Sequence, residues 1–202
     1  MTSRQFVFGY GSLAIPPRGR PDRVGPPGGR PDRVVRERGF VADLAGVRRE
    51  WGVAMDNRHD LPGYKYYTDP GGQRPAVFVA FLDLRPVPDG DGSGVNGLCL
   101  PVDDAALARL DLRERNYERI EVSARIQADT GGARVWAYVG TAAARERLQI
   151  GRREGTAVIH GGYLAAVSEG FAALGEAEHR QCEPSLHPGD LAVRALTRHD
   201  LA

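Results

Sequence analysis

Two short stretches carry residue types that suit proton transfer beside an anion-binding turn. The first is Phe8-Gly9-Tyr10-Gly11-Ser12-Leu13, a β-prone run that breaks into two glycines spaced by an aromatic. Glycine reaches backbone conformations closed to other residues and lets a ligand approach the main chain. Successive N–H groups in such a turn make a concavity suited to a carboxylate or an oxyanion. The same residues also make an ordinary turn between two strands. The second stretch is 110–122 (LDLRERNYERIEV), with Glu114 at the junction of a helix and a strand and Tyr117 three residues on. Element ends facing a sheet are where catalytic groups are usually mounted. By composition alone, Glu114 between Arg113 and Arg115 reads more simply as part of a solvated charged face.

Other chemistries find less support. Ser12 as a nucleophile needs a base in reach, and the pattern G-Y-G-S-L-A is not the G-x-S-x-G elbow of a serine hydrolase. His59, His160, His179, His187 and His199 are scattered, with no H-x-x-x-H or carboxylate spacing for a metal. Cys99 and Cys182 have no zinc-site spacing. They read as two reduced thiols in small buried positions, with a single disulfide left open. Gly9 and Gly11 do not open a dinucleotide fingerprint, because position 14 is Ala and no helical pattern follows.

The elements that must position Glu114 and the glycine turn come from a chain of 202 residues with 42% hydrophobic positions, enough for one domain with its own core. The 27 basic and 26 acidic residues nearly cancel, which argues against a nucleic-acid binder with a basic face and against an acidic disordered chain. The first residues lack the apolar stretch and small-residue cleavage site of a signal peptide, and no apolar run suits a membrane helix, so a soluble, cytoplasmic protein is expected. Lys65 is the only lysine.

Strands are expected at 4–8, within 40–53 with Gly46 and Gly52 as turn or bulge, at 76–84, 95–102, 120–127 and 134–139. The last two read as a hairpin around Thr130-Gly131-Gly132. Helices are expected from Asp103 or Asp104 to Arg113, from Thr141 to about position 150, and over 163–174, where Gly175 stands as a C-cap. The stretch 56–73 reads as a polar loop and the tail as a loop ending in a β-like 191–196. Between 15 and 38 the chain is rich in Pro, Gly and Arg, and Gly19-Arg20-Pro21-Asp22-Arg23-Val24 recurs as Gly29-Arg30-Pro31-Asp32-Arg33-Val34. That reads as a flexible insertion duplicated locally; an Arg-bearing arm closing over an acidic substrate is the functional alternative. The tally is not a strict β-α-β alternation. It predicts an α+β fold, a mixed and mostly antiparallel sheet, curled or closed into a barrel, with flanking helices.

Taken together, the two stretches resemble one family. A strand ending in Phe8-Gly9-Tyr10-Gly11-Ser12-Leu13, followed later by Leu110-Asp111, Glu114, Tyr117, Arg119 and Val122, is similar to the γ-glutamylcyclotransferase superfamily, which includes the avirulence-induced-like proteins. Ala42, Leu44, Gly46, Arg48, Arg49 and Trp51 look like its second block, and Val135-Trp136-Ala137-Tyr138-Val139 like its late strand. The resemblance runs over most of 4–175. Two departures stand out: the 15–38 stretch is longer than usual, and Arg115-Asn116 follows the glutamate where many members have Glu-Gly.

The resemblance implies a reaction in which the α-amine of a γ-glutamyl group attacks its own γ-carbonyl. 5-Oxoproline closes and an amine or amino acid leaves. It implies Glu114 as the general acid and base, and backbone N–H groups of Tyr10, Gly11, Ser12 and Leu13 as donors to the substrate's carboxylate and developing oxyanion. Tyr117 and Tyr138 would line the pocket or bond the glutamyl group, with core aromatics as the plainer reading. No cofactor or metal is called for, and the partner is a small γ-glutamyl molecule. A non-catalytic member using the same pocket to bind a ligand is the alternative. Within the enzyme class, removal of a γ-glutamyl protecting group during natural-product assembly is another.

Overall fold

The computed structural model describes residues 4–14, 39–61, 64–88 and 90–201. The repeat-bearing 15–38 insertion lies outside them. In chain order the first strands are β1 (Gln5–Gly9), β2 (Phe40–Ala45), β3 (Val47–Asp56), β4 (Lys65–Thr68), β5 (Phe78–Pro86) and β6 (Gly94–Val102). Helix α1 (Asp104–Arg113) follows, then β7 (Tyr117–Glu121), β8 (Ile126–Gln127) and β9 (Arg134–Gly140). The remainder is α2 (Ala142–Glu154), β10 (Ala157–His160), α3 (Gly161–Leu174), α4 (Glu176–Cys182), β11 (Ala192–Arg194) and β12 (Thr197–Asp200).

Strand β1 lies inside the larger sheet, ordered β7-β9-β1-β6-β2-β8. All five of its residues are buried, which is why Phe6, Val7 and Phe8 read as a continuous apolar run rather than an alternating one. It pairs antiparallel with β6 and parallel with β9. A second sheet is ordered β11-β10-β5-β3. Its β5 is buried from Phe78 to Leu84, as expected of a strand covered on both faces. Gly46, with φ of 73°, turns β2 into β3. Gly52 marks a register shift between Trp51 and Val53, the bulge that the sequence suggested. The fold is α+β with a mixed sheet that curls into a half-barrel. It is not the closed barrel allowed for above: the order of the larger sheet ends at β7 and β8 without joining them.

Helix α1 spans its expected bounds, α2 starts at its expected cap but runs past the expected end near 150 to Glu154, and α3 starts at Gly161, ahead of 163, and is capped at its end by Gly175 as expected. Asp103 accepts from Ala106 N at 2.6 Å, Thr141 accepts from Ala144 N at 3.2 Å, and Gly155 in the left-handed conformation ends α2. Three expectations change. The stretch 56–73 is not all loop, since β4 pairs antiparallel with β12, far along the chain. The expected strand 120–127 is two strands: β7 pairs with β9 as a hairpin would, but β8 leaves to pair with β2. The tail carries α4 and β12, and β10 was not foreseen. Among the described residues, no helix is long and apolar enough to cross a membrane.

Candidate functional site

Where β1 ends, the chain folds back on itself in a short 3₁₀ turn, Ser12–Ala14, closed by Ala14 N to Gly11 O at 2.9 Å. The fold-back leaves no room beside position 9, where an added Cβ would meet the carbonyl carbon of Leu13 at 2.5 Å. Tyr10 turns inward and its hydroxyl donates to Tyr138 O at 2.5 Å, tying the bend to β9.

Glu114 is placed by the end of α1. Its N–H donates to Leu110 O at 2.8 Å, completing the last helical turn, and its carbonyl accepts from Tyr117 N at 2.9 Å, which swings the chain into β7. That tight turn returns Tyr117 to the cavity that Glu114 faces. The Glu114 side chain is only 16% exposed. Its Oε1 accepts from Arg113 Nε at 3.0 Å and Nη2 at 2.8 Å. Its other oxygen takes no hydrogen bond from a described residue. The neighbour pairing that composition suggested is therefore present, yet the carboxylate points inward while Arg113 remains half exposed.

The bend and the acid meet. Tyr10, Gly11, Ser12, Leu13, Glu114, Tyr117 and Tyr138 line one small cavity of about 30 Å³, together with Leu82 and Tyr163. Ser12, Glu114, Tyr117 and Tyr163 also line a second cavity of about 610 Å³. Glu114 thus stands at the junction of a narrow space beneath the bend and a wide one open to ligands. The two tyrosines are both walls and core. Tyr117 donates its hydroxyl to Leu82 O at 2.7 Å, and Tyr138 donates to Asp111 Oδ1 at 2.7 Å. Their protons are committed, so each presents a ring and an accepting oxygen rather than a free donor.

Several lining residues were not foreseen. Tyr163, from the first turn of α3, reaches the bend: the amides of Leu82 and Ser12 face its hydroxyl. A Cβ on Gly11 would come within 2.9 Å of that oxygen. Trp51 and Phe81 pack edge-on against its ring, with centroids 6.0 and 5.1 Å away. In sequence Tyr163 is only the first aromatic of an amphipathic helix. Lys65, His160, Arg198 and Asp200 line the far side of the wide cavity. Being the only lysine, amid Tyr64, Tyr66 and Tyr67, was the one available signal for Lys65.

Burial sets the electrostatics. It pushes the Tyr10, Tyr117 and Tyr163 hydroxyls above their ordinary range, and nearby negative charge, Glu114 included, adds to each. All three stay protonated near neutrality. Burial pulls Lys65 down to about 8, Arg198 adding to the effect and Glu114 opposing it. His160 is lowered by burial, then by Lys65 and Arg198. Both cysteines are buried free thiols, and burial pushes Cys99 to about 12, so neither suits a nucleophile. The site offers an inward carboxylate with an oxygen unbonded among the described residues, a set of neutral phenols, and the Tyr10–Leu13 bend on the same small cavity. Such a set can take a proton from an amine and hand it to a leaving nitrogen.

Among solved structures, YkqA from Bacillus subtilis superposes with a TM-score of 0.53 at 15% identity over 94% of this chain. The chain spans only 56% of that protein. A gamma-glutamyl cyclotransferase specific to glutathione, from yeast, superposes with a TM-score of 0.50 at 17% identity, covering 92% of this chain and 98% of the other. At these identities the likeness is one of fold. A comparison with curated protein sequences finds no match. The sequence profile of the gamma-glutamyl cyclotransferase, AIG2-like family matches residues 47–163, a span that holds Glu114, Tyr117, Tyr138 and Tyr163 but not the glycine bend. With more than half its length in that profile, the chain belongs to the gamma-glutamyl cyclotransferase, AIG2-like family.

Proposed function

We propose that the protein is a γ-glutamyl cyclotransferase acting as a single domain on a small γ-glutamyl amide. The observation that carries this reading is the convergence of Glu114 and the Tyr10–Leu13 bend on one cavity. The γ-glutamyl group folds so that its α-nitrogen reaches its own γ-carbonyl carbon. Glu114 takes a proton from the α-ammonium, the nitrogen–carbon bond of the lactam forms, and the carbonyl oxygen becomes an oxyanion. Backbone amides of the Tyr10–Leu13 bend serve as donors to that oxyanion and to the substrate carboxylate. The proton on Glu114 passes to the departing nitrogen as the original amide bond breaks, and the second proton shed by the ring nitrogen leaves on the amine, so 5-oxoproline and the amine as its ammonium depart with the carboxylate restored. The nucleophile is tethered to its target, and holding it in the cyclising conformer supplies several kcal/mol of the barrier reduction. The single inward carboxylate suits a reaction in which the same proton is taken and given back, worth typically 10²–10⁴-fold.

The test is incubation of the purified protein with glutathione, γ-glutamyl dipeptides and γ-glutamyl amines, with 5-oxoproline and released amine quantified together. One 5-oxoproline per amine supports the reading. Release of glutamate in place of 5-oxoproline, or no release from any compound, overturns it.

A further inference from the structure

The wide cavity holds an uncommitted cation. Besides four tyrosines, six basic or acidic side chains line it: Lys65, Arg113, Glu114, His160, Arg198 and Asp200. Arg113 pairs with Glu114. Arg198 pairs with Asp200, Nε at 2.9 Å and Nη2 at 2.5 Å. His160 is lowered and stays neutral near pH 7. That leaves Lys65. Its ammonium lies over the rings of Phe81 at 4.3 Å and Tyr64 at 5.2 Å; no described residue gives it a hydrogen bond or an ion pair, and Glu114 and its cross-strand partner Asp200 act on it only at longer range. A half-buried ammonium beside Arg198 and short of a counterion is costly to hold. An anion entering the cavity would complete it.

We infer that Lys65 sets the preference for the departing half of the substrate, and that the group it takes is a carboxylate on the leaving amine. This rests on the cyclotransferase reading, which puts the glutamyl end between the bend and Glu114 and so extends the departing end into the wide cavity. A volume of about 610 Å³ accommodates a leaving amino acid or dipeptide. Once paired partners cancel, the lining carries one positive charge, which matches a monoanion. Lys65 is held near 8, which shows how poorly the protein itself supports the charge. A γ-glutamyl derivative of a plain amine would leave this ammonium unpaired.

The experiment uses a minimal pair, γ-glutamylglycine and γ-glutamylglycinamide, which differ only in whether the leaving unit ends in a carboxylate. Wild type should favour γ-glutamylglycine in kcat/KM by about tenfold or more, the usual scale for a charge-assisted hydrogen bond. Lys65→Met should remove that preference by slowing the carboxylate substrate and leaving the carboxamide within about twofold, while Lys65→Arg keeps part of it. γ-Glutamylalanylglycine shows whether a carboxylate one residue further on is read instead. Equal loss on both members of the pair would mean that Lys65 serves the glutamyl end or the fold, and overturns the inference. So would a wild type without preference for either carboxylate substrate. Calorimetric binding to the Glu114→Gln protein, with and without Lys65→Met, separates this from the reaction itself. If the carboxylate preference appears in binding but no 5-oxoproline forms, the reaction reading fails and the Lys65 assignment stands. If neither binding nor turnover shows the preference, the assignment fails.

Discussion

Replacing Glu114 by Gln keeps the side-chain volume and removes the proton acceptor. The expected result is loss of 5-oxoproline formation by about 10² or more with an unchanged unfolding temperature. Residual activity within about tenfold of wild type would put the proton work on another group. Ser12→Ala should be milder, because the proposed role of Ser12 rests on its backbone amide, which the substitution retains. Lys65 gives a pH prediction with a definite sign. Its folded value is about 8 against 10.5 in the unfolded chain, so between those values the unfolded chain holds the extra proton. Stability should therefore rise with pH above about 8, the reverse of what a lysine with a salt-bridge partner would give. From about pH 9 the trend is opposed, since Cys99 is raised from 9.0 to about 12 and Tyr67 from 10.0 to about 12, and each favours the folded form only while protonated. Urea unfolding from about pH 7.5 to 9 should show the rise in wild type and a flatter profile in Lys65→Met. At this scale the sequence was informative where chemistry and turn lie in one contiguous stretch. Glu114 with Tyr117, and the glycine bend, are each of that kind. Lys65 and Tyr163 were hidden because their significance depends on packing that brings β4 and α3 to the same cavity.

The elements holding the site are joined by Asp83 of β5, whose side chain is fully buried. Its Oδ1 accepts from Gly140 N at 2.7 Å and Leu84 N at 2.8 Å, and its Oδ2 pairs with Arg145 Nε at 2.8 Å. One carboxylate thus fastens the end of β9 and the start of α2 to the second sheet. The fit is close: a Cβ on Gly140 would lie 2.2 Å from Val53 Cγ1 and 2.8 Å from Asp83 Oδ2. Asp83→Ala strips two buried amides and a guanidinium of their partner and should cost about 3–5 kcal/mol. A shift in the urea midpoint smaller than about 1 kcal/mol would show that water or neighbours take over. Asp83 gave no sign of this in sequence, where it is one polar residue in an apolar strand. The caps of α1 and α2 were legible because they act within a few residues of themselves. The β4–β12 pairing was not, since its register, Lys65 with Asp200 through Thr68 with Thr197, joins parts of the chain that share no local pattern.

Across the whole molecule, two walls of the cavity differ in how they are secured. The bend, Glu114 and Tyr163 rest on the main apolar cluster and the two larger sheets. The other wall is the β4–β12 pair: β4 is anchored by Tyr67, buried in the second apolar cluster and bonded to Asn57 (N to Oδ1 at 2.8 Å), while β12 is held to it by the ladder, by His199 stacked on Tyr66 with centroids 4.8 Å apart, and by Leu201 N on Tyr64 O at 2.6 Å. Ending the chain after Leu196 should leave the core folded, since Leu196 remains in place against the second apolar cluster. It should also return Lys65 toward the ordinary lysine range by exposing it. Such a protein should still cyclise γ-glutamylglycinamide and lose most of its advantage on γ-glutamylglycine. If the shortened protein does not fold at all, the pair is part of the core and not a separate wall.

A chain with one lysine has one ε-amine, and here it opens onto the cavity. Reductive methylation with ¹³C-formaldehyde would therefore install a single side-chain reporter, apart from the α-amine, directly in the proposed leaving-group chamber. Its chemical shift would read out occupancy of that chamber under turnover, with no engineered cysteine and no competing labelled side chain to assign.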